Sequence, residues 1–245
     1  NFQTIMNKPI FFGDYPVGEI FHVLKNRRHV NEYDTDNIPE KKVIEDLLWK
    51  SWKVTPSKNN FMPYHCNVLG PDKVEEKNKI KLISAIHKDR TDQFDSYYFH
   101  PNRDKFVDKK NPYFKHLASA PYMLVFTQRL CTPNEYYRKA KEKNGDFYDQ
   151  MHEHKLDEIM STTALEVGMW MANLSAFALE KGLNTSIIKC FQSYVSNWKD
   201  FSWIKYPVIC IATIGKAKTL RREVMTDVEK KDDKKPEPEE IIKWI

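Results

Sequence analysis

Three short apolar runs, each about as long as a β-strand, are widely spaced along this chain of 245 residues. They cover residues 64–69, 122–127 and 208–214, and the third is the most continuously apolar. A short run without polar alternation is typical of a strand that is buried in the middle of a sheet. Long helical patterns separate the runs, so we expect a layered α+β or α/β domain rather than a sandwich or a barrel.

The longest helical pattern runs from about residue 153 to residue 181, which would be about 43 Å at ~1.5 Å per residue. Gly182 follows it, and glycine is the usual residue just beyond a helix C-terminus. Small residues follow a 4-3-4-3 spacing along this pattern and allow another helix to approach closely. The residues of this stripe are Ala164, Gly168, Met171, Ser175 and Ala178. The stripe fits packing within the chain and a dimer interface equally well.

Two further helices are expected before the second strand. The first begins near Pro39, a residue type favoured at the first helical position, and a lysine-rich helix ends at about Ile86. The first helix places its apolar residues on one face. They are Val43, Ile44, Leu47 and Leu48. Residues 88–115 have no clean period and are expected to form an irregular excursion.

Glycine is scarce, with seven in the chain, and this argues against two nucleotide-binding loops. No glycines have the G-x-G-x-x-G spacing of a dinucleotide loop. Gly13 and Gly18 have the outer spacing of a P-loop, but Glu19 stands where a lysine is needed and would repel phosphates.

Charge and cysteine content limit the partners and the compartment. The chain has 39 basic and 34 acidic residues, a net charge of +5, with the acids interleaved among the lysines, so no nucleic-acid partner is expected. No apolar run approaches the ~18 residues of a membrane span, so no membrane partner is expected either.

The four cysteines form no C-x-x-C motif and are expected to be free thiols in a reducing cytoplasm. They are Cys66, Cys131, Cys190 and Cys210. His152 and His154 lack the further ligands of a metal site, and no metal is expected.

Three polar clusters stand out as places for chemistry. The first, residues 26–33, contains adjacent arginines, whose guanidinium groups suit an anionic oxygen cluster. The second, residues 55–64, offers hydroxyls and amides between prolines and could hydrogen-bond a flat heterocycle. The third, residues 215–218, places two lysines after a strand, where they can hold a phosphate as point charges. Taken singly, each cluster has a simpler interpretation that is favoured over a binding site. The first would be a solvated helix end, the second a plain turn and the third a lysine-rich surface.

Taken in order, the clusters resemble the motifs of the nitroreductase superfamily of FMN-binding flavoproteins, from about residue 21 to residue 225. Residues 27–33 are similar to the opening R-x-S-x-[RK]-x-[FY] element. Residues 52–64 are similar to the A-P-S-x-x-N-x-Q-P-W loop, with Thr55 for Ala, Met62 for Gln and Tyr64 for Trp.

Three more segments continue the resemblance. Ala118-Ser119-Ala120-Pro121 precedes an apolar strand, and residues 178–185 end the long helix, as in the family. Residues 214–218, with residues 223–225 beyond them, are similar to the closing I-G-[YF]…K-x-R…E-V-V segment. Five elements in the right order make the resemblance moderately specific.

The resemblance implies the residues that hold FMN. Arg27 and Lys218 are implied to grip the phosphate, with Lys216 nearby or toward the flavin. Arg28 and His29 are implied to line the phosphate–ribityl end. Asn31 stands where the family has a basic residue. The residues implied to border the isoalloxazine ring are Pro56, Ser57, Lys58 and Asn60. Those implied to pass over its other face are Ile187, Ile188 and Lys189.

The resemblance also implies a fold and an activity. The expected fold is an α+β, nitroreductase-like three-layer α/β/α sandwich, with a mainly antiparallel central sheet and the long helix at a homodimer interface. The expected activity is transfer of a hydride from NADH or NADPH through bound FMN to a small aromatic or quinone-like acceptor. No side chain is expected to act as an acid or a base. The alternatives are dehalogenase or flavin-fragmenting chemistry, and a non-catalytic flavin-binding or scaffold protein.

Four departures from the family pattern support the scaffold alternative. His29 replaces a Ser, Asn31 replaces a basic residue and Met62 replaces a Gln, while Lys189 stands where many members have Glu.

We divide the chain into an N-terminal extension (1–20), an FMN-binding domain (21–227) and a C-terminal extension (228–245). The C-terminal extension ends in a short apolar segment, which is consistent with docking of the extension on a partner subunit.

Overall fold

The structure of the chain is a computed structural model. It describes residues 11–12, 15–16, 23–72, 75, 77–83, 86, 115–129, 139, 142–143, 156–189, 201–204, 207–225, 227 and 237–242. Several predictions concern residues outside this set. They are the helix start at 153, nearly all of the 88–115 excursion, the thiols of Cys131 and Cys190, the pair His152 and His154, and most of the two terminal extensions.

The described residues form eight strands and five labelled helices. The strands are β1 (Phe11–Phe12), β2 (Tyr15–Pro16), β3 (Val30–Tyr33), β4 (Tyr64–Leu69), β5 (Tyr122–Gln128), β6 (Asn184–Ile188), β7 (Val208–Gly215) and β8 (Ala217–Leu220). The helices are α1 (Lys41–Val54), α2 (Lys115–Ala118), α3 (Leu156–Glu180), α4 (Arg221–Val224) and α5 (Pro238–Ile241). Residues 77–83 are also helical, and Lys58–Asn60 form one 3-10 turn.

The central sheet has four antiparallel strands in the order β4-β5-β7-β6. Every residue of β5 and β7 is buried, which confirms the prediction that the most apolar runs lie in the middle. Two smaller antiparallel pairs, β1 with β2 and β3 with β8, complete the described strands. The pattern did not predict β3, β6 or β8 as strands.

Alternate residues of β5 face two different helical layers. Leu124 and Phe126 pack with α1 and α3 in one buried cluster. Met123 and Val125 pack in a second cluster, which includes Leu117 of α2. The sheet therefore lies between two layers of helices, and the predicted α+β three-layer architecture is confirmed.

Helix α3 ends where the glycine predicted it. Gly182 has a φ of 70°, a left-handed conformation that costs glycine little. The Gly182 N–H donates to the carbonyl of Leu179 at 2.9 Å, and the Leu183 N–H donates to that of Ala178 at 2.8 Å. These two bonds satisfy carbonyls that the helix itself leaves open.

The small-residue stripe of α3 divides into two parts. Met171, Ser175 and Ala178 are buried within this chain, and the Ser175 hydroxyl lies 2.6 Å from that of Thr185 on β6. Ala164 and Gly168 are exposed, and nothing lies within 4 Å of a Cβ placed on Gly168. Packing within the chain thus accounts for the C-terminal half of the stripe.

The β3–β8 pair is joined to the central sheet by Tyr33. This side chain is fully buried, and its hydroxyl lies 2.9 Å from that of Thr213 on β7. Val30 pairs with Leu220 and Tyr33 with Ala217, with irregular register between them. The first and third polar clusters are therefore brought to one edge of the fold.

None of the described helices is long and apolar enough to cross a bilayer. The described part of the chain likewise holds no group of three or more His, Cys, Asp or Glu that could bind a metal ion.

Candidate functional site

The pairing of β3 with β8 joins the first and third polar clusters. The Asn31 side-chain amide donates to the Thr219 hydroxyl at 3.2 Å. The Arg221 N–H donates to the carbonyl of His29 at 2.8 Å. Arg27 to Asn31 and Lys216 to Arg221 thus lie side by side, although 185 or more residues separate them in the sequence. We call this group of residues the basic cluster.

Two lysines of the basic cluster are held by single carboxylates. Lys218 lies 3.3 Å from Glu32, and Lys216 lies 4.0 Å from Asp34. The Lys218 side chain is 61% exposed, and surface pairs of this kind contribute little, about 0–1 kcal/mol. Both ammonium groups can therefore turn toward an incoming anion at small cost.

The two arginines of the first cluster differ in their surroundings. Both side chains are exposed. A guanidinium nitrogen of Arg28 donates to the carbonyls of Lys25 and Arg27, on its own segment. The positive charge of Arg27 contributes to the lowered pKa of His29, two residues along the chain.

His29 is the most perturbed titratable group of the basic cluster. Its pKa is lowered to about 4, first by burial and then by the positive charges of Arg221 and Arg27. Its ring meets that of His116 on α2 edge to face, with 5.1 Å between centroids. Sequence reasoning missed His116 and Arg221. Adjacent Arg221 and Arg222 just beyond the lysine pair were a usable signal, whereas nothing in the pattern marks His116.

The second cluster is a loop tied to α1 and α3 at its start. Thr55, which replaces the family's Ala, donates its hydroxyl to the carbonyl of Ser51 at 2.6 Å. The same hydroxyl accepts from the side chain of Asn173 on α3 at 3.0 Å. The substitution therefore adds two hydrogen bonds that an alanine could not make.

The middle of this loop has an unusual backbone. Asn60 and Met62 have φ values of 55° and 46°, in the left-handed region that side chains disfavour. The Ser57 hydroxyl accepts from the Met62 N–H at 2.9 Å, and the Ser57 carbonyl accepts from the Asn60 N–H at 3.0 Å. A strained loop that is over-determined by its own hydrogen bonds is typical of a ligand-binding segment.

Arg129, just beyond β5, holds the other end of the loop. Its Nε donates to the carbonyl of Met62 at 3.0 Å, and a second guanidinium nitrogen donates to the carbonyl of Phe61. Its backbone N–H donates to the carbonyl of Pro63 at 3.0 Å. The side chain and the backbone of Arg129 together thus bind the carbonyls of three successive residues.

Glu166 on α3 accepts a hydrogen bond from the backbone of this loop. Its Oε1 accepts from the Lys58 N–H at 3.0 Å, and the residue is only 3% exposed. Its Oε2 and the indole N–H of Trp170 are buried without a hydrogen-bond partner within the described residues. Sequence reasoning missed Glu166. A usable signal was present, because it is the only charged residue between Glu158 and Glu180.

The end of β6 lies next to the basic cluster. The Val30 N–H donates to the hydroxyl of Ser186 at 3.0 Å. Ile187 is 49% exposed, Ile188 is buried against β7, and Lys189 is exposed. Partial burial lowers the pKa of Lys189, and the nearby thiol of Cys210 opposes that shift.

The donors of the basic cluster fit a phosphate ester. Guanidinium, ammonium and imidazole groups with an amide are the side chains that bind phosphate oxygens in proteins. The 55–63 loop is joined to α3 rather than to the basic cluster, and offers backbone groups held in a fixed conformation. The chemistry of the residues present therefore fits FMN, a phosphate ester that carries a flat ring.

Comparison with known proteins bears on the family and the fold of the chain. The model of the nitroreductase family matches residues 24–216. A search of curated proteins gives no match.

Solved structures share the fold at low sequence identity. A Bacillus subtilis protein described as a proposed nitroreductase has a TM-score of 0.59 at 15% identity, over 93% of this chain and 99% of that one. A proposed NAD(P)H:FMN oxidoreductase from Staphylococcus epidermidis has a TM-score of 0.57 at 15% identity, over 93% and 98%. A proposed nitroreductase from Exiguobacterium sibiricum, in complex with FMN, has a TM-score of 0.55 at 15% identity, over 88% and 97%.

Proposed function

The chain belongs to the nitroreductase family, whose cofactor is FMN, and we propose that it is an FMN-dependent oxidoreductase using NADH or NADPH. The observation that carries this proposal is the pairing of β3 with β8. That pairing brings the segment of Arg27, His29 and Asn31 beside the segment of Lys216 and Lys218. The resemblance implies that Arg27 and Lys218 of these segments grip the phosphate.

The basic cluster supplies binding and orientation. Arg27 and Lys218 are proposed to hold the phosphate, with Lys216 toward the ribityl chain and Asn31 offering an amide. Arg28 and His29 complete that end of the site. Since the pairs with Glu32 and Asp34 are exposed and weak, both lysines can leave them for the anion at small cost.

The 55–63 loop and the end of β6 are proposed to enclose the flavin ring. Pro56, Ser57, Lys58 and Asn60 border one side, in a backbone conformation fixed by Arg129 and Glu166. Ile187, Ile188 and Lys189 cover the other side, where the exposed Ile187 excludes water. FMN held by these residues would supply the capacity to take up a hydride and pass on electrons, while the chain would supply binding, orientation and exclusion of water.

We propose that the site is completed in a homodimer through α3. The basic cluster and the loop are attached to different parts of this chain, so a loop from one subunit can meet a cluster from another. Ala164, Leu165, Gly168 and Ala172 form an exposed, small or apolar strip on α3, and Leu165 is 65% exposed. Small residues at such a contact allow close helix approach.

The acceptor is proposed to be a nitroaromatic or quinone-like molecule that binds where the nicotinamide binds. A flat acceptor fits because a ring can stack over the flavin between the exposed Ile187 and the loop. The non-catalytic alternative draws support from His29, Asn31, Met62 and Lys189, which depart from the family pattern.

The phosphate assignment is tested by changing Arg27 and Lys218 together to Ala. We expect FMN retention to be lost, because the two changes remove two of the cluster's cations. The matched control changes Lys77 and Lys81 to Ala, which removes the same charge from an exposed helical face. The dissociation constants of FMN for the two double variants, measured by quenching of flavin fluorescence, test the assignment. Unchanged FMN affinity in the first double variant would contradict the assignment.

A further inference from the structure

Two histidine rings meet inside the basic cluster. His29 comes from the segment before β3, and His116 comes from α2, a separate part of the chain. Their ring centroids are 5.1 Å apart with an interplanar angle of 65°. The carbonyl of His29 is fixed by the Arg221 N–H at 2.8 Å. This hydrogen bond fixes the backbone of His29, and the ring of His116 packs against its imidazole.

The charges around His29 are positive. Among the described residues, Arg27 on its own segment and Arg221 at the start of α4 are the charges that act on it, and both oppose its protonation. The neighbouring carboxylates are engaged elsewhere. Glu32 lies 3.3 Å from Lys218, and Glu223 accepts from the Leu220 N–H at 2.7 Å. A bound anion would therefore offset the positive charge that acts on His29.

We propose that His29 and His116 form a proton-accepting pair at the phosphate end of the site, so that FMN binds together with a proton. This inference rests on the proposed function, since FMN is the phosphate ester concerned. On binding, one proton passes from solvent to the unprotonated ring nitrogen of His29, and no other bond forms or breaks. The ring then donates from both nitrogens, one toward the phosphate, and His116 faces it across the pair.

The physical reason is the change in local charge. Without an anion, burial and two arginines hold the pKa of His29 at about 4, so the ring is neutral near neutral pH. A phosphate dianion among the same groups favours the charged ring. The Ser that the family has at this position can donate one hydrogen bond but cannot take up a proton, so the linkage is specific to this chain.

Titration calorimetry of the whole protein with FMN, in two buffers of different ionisation enthalpy at about pH 6.5, measures the protons taken up. Riboflavin, which lacks the phosphate, is the matched ligand, and His29→Gln and His116→Gln are the variants. The phosphate of FMN has a second pKa of about 6 and can itself release a proton on binding. The Gln variants report that release alone.

We expect wild-type protein to take up several tenths of a proton more than the His29→Gln variant with FMN, and none with riboflavin. Its FMN dissociation constant should fall as the pH falls from about 7.5 to 6.5, by at most about tenfold per unit. Equal uptake in wild type and either variant would overturn the pair while leaving FMN binding intact. Absence of FMN binding in wild type would overturn the proposed function as well, so the two failures are distinct.

Discussion

Gly215, the last residue of β7, stands where the basic cluster meets the central sheet. A Cβ at this position would lie 2.6 Å from Cγ and 2.7 Å from Cδ of Pro121, and 3.0 Å from Cδ1 of Tyr33. Pro121 is a ring closed on the backbone and Tyr33 is fully buried, so neither neighbour can turn away. Gly215→Ala therefore forces β7 and the β3–β8 pair apart.

The cost follows from the size of this overlap. Inserting a methyl group into a packed site without room costs about 1–3 kcal/mol. At ~2 kcal/mol, a chain of this length loses about 4–8 °C in Tm. If displacement of β8 removes ~1.4 kcal/mol from the free energy of FMN binding, the affinity for FMN decreases about tenfold. Thermal unfolding by circular dichroism and flavin fluorescence titration measure the two effects.

Gly70→Ala is the matched control. Gly70 directly follows β4, and a Cβ there would meet Oε2 of Glu75 at 2.5 Å, the end of a flexible side chain that accepts a hydrogen bond from the Gly70 N–H. It would also lie 3.2 Å from Cε1 of the buried Tyr122, a milder contact than those at Gly215. We expect that variant to lose less stability than Gly215→Ala and to keep its FMN affinity. Equal losses of Tm in the two variants would refute the reasoning from close packing at Gly215.

Three further predictions concern stability and assembly. His29 has a folded pKa of about 4, below its usual 6.5, so the free energy of unfolding should decrease as the pH falls from about 6.5 to 4, by up to about 3 kcal/mol. Urea unfolding of flavin-free protein should show this slope, and an unchanged slope in His29→Gln would refute it. Glu166→Leu should lower the free energy of unfolding by about 1–3 kcal/mol more than Glu166→Gln does, because Gln can still accept from the Lys58 N–H. Equal urea midpoints of the two variants would contradict this. Leu165→Glu should convert a dimer to a monomer in analytical ultracentrifugation, whereas Ile80→Glu, on another exposed helical face, should not. A Leu165→Glu protein that stays dimeric would exclude this strip of α3 from the interface.

The sheet could be predicted from sequence where burial dictates composition. Strands β5 and β7 are buried throughout, so their residues are nearly all apolar and each reads as one run. Helix α3 could be predicted because Gly182 ends a long helical pattern. Strands β3 and β8, VNEY and AKTL, could not, because each is short and partly exposed. Their pairing joins residues nearly 190 positions apart, which local pattern does not report.

Residues of the candidate site could be predicted from the sequence only where they lie within short motifs. The two ends of the basic cluster were found by resemblance, and the structure brings them together. His116 and Arg129 were missed because each reaches the site from an element whose own pattern reads as packing or surface. Glu166 was missed because its role depends on a backbone N–H in a distant loop.

The visible absorption spectrum of the purified protein, with identification of any cofactor released by heat, tests the central claim most directly. We predict a yellow protein that releases FMN and is bleached anaerobically by NADH or NADPH. A colourless protein that remains so after incubation with excess FMN would contradict the account and favour the scaffold alternative.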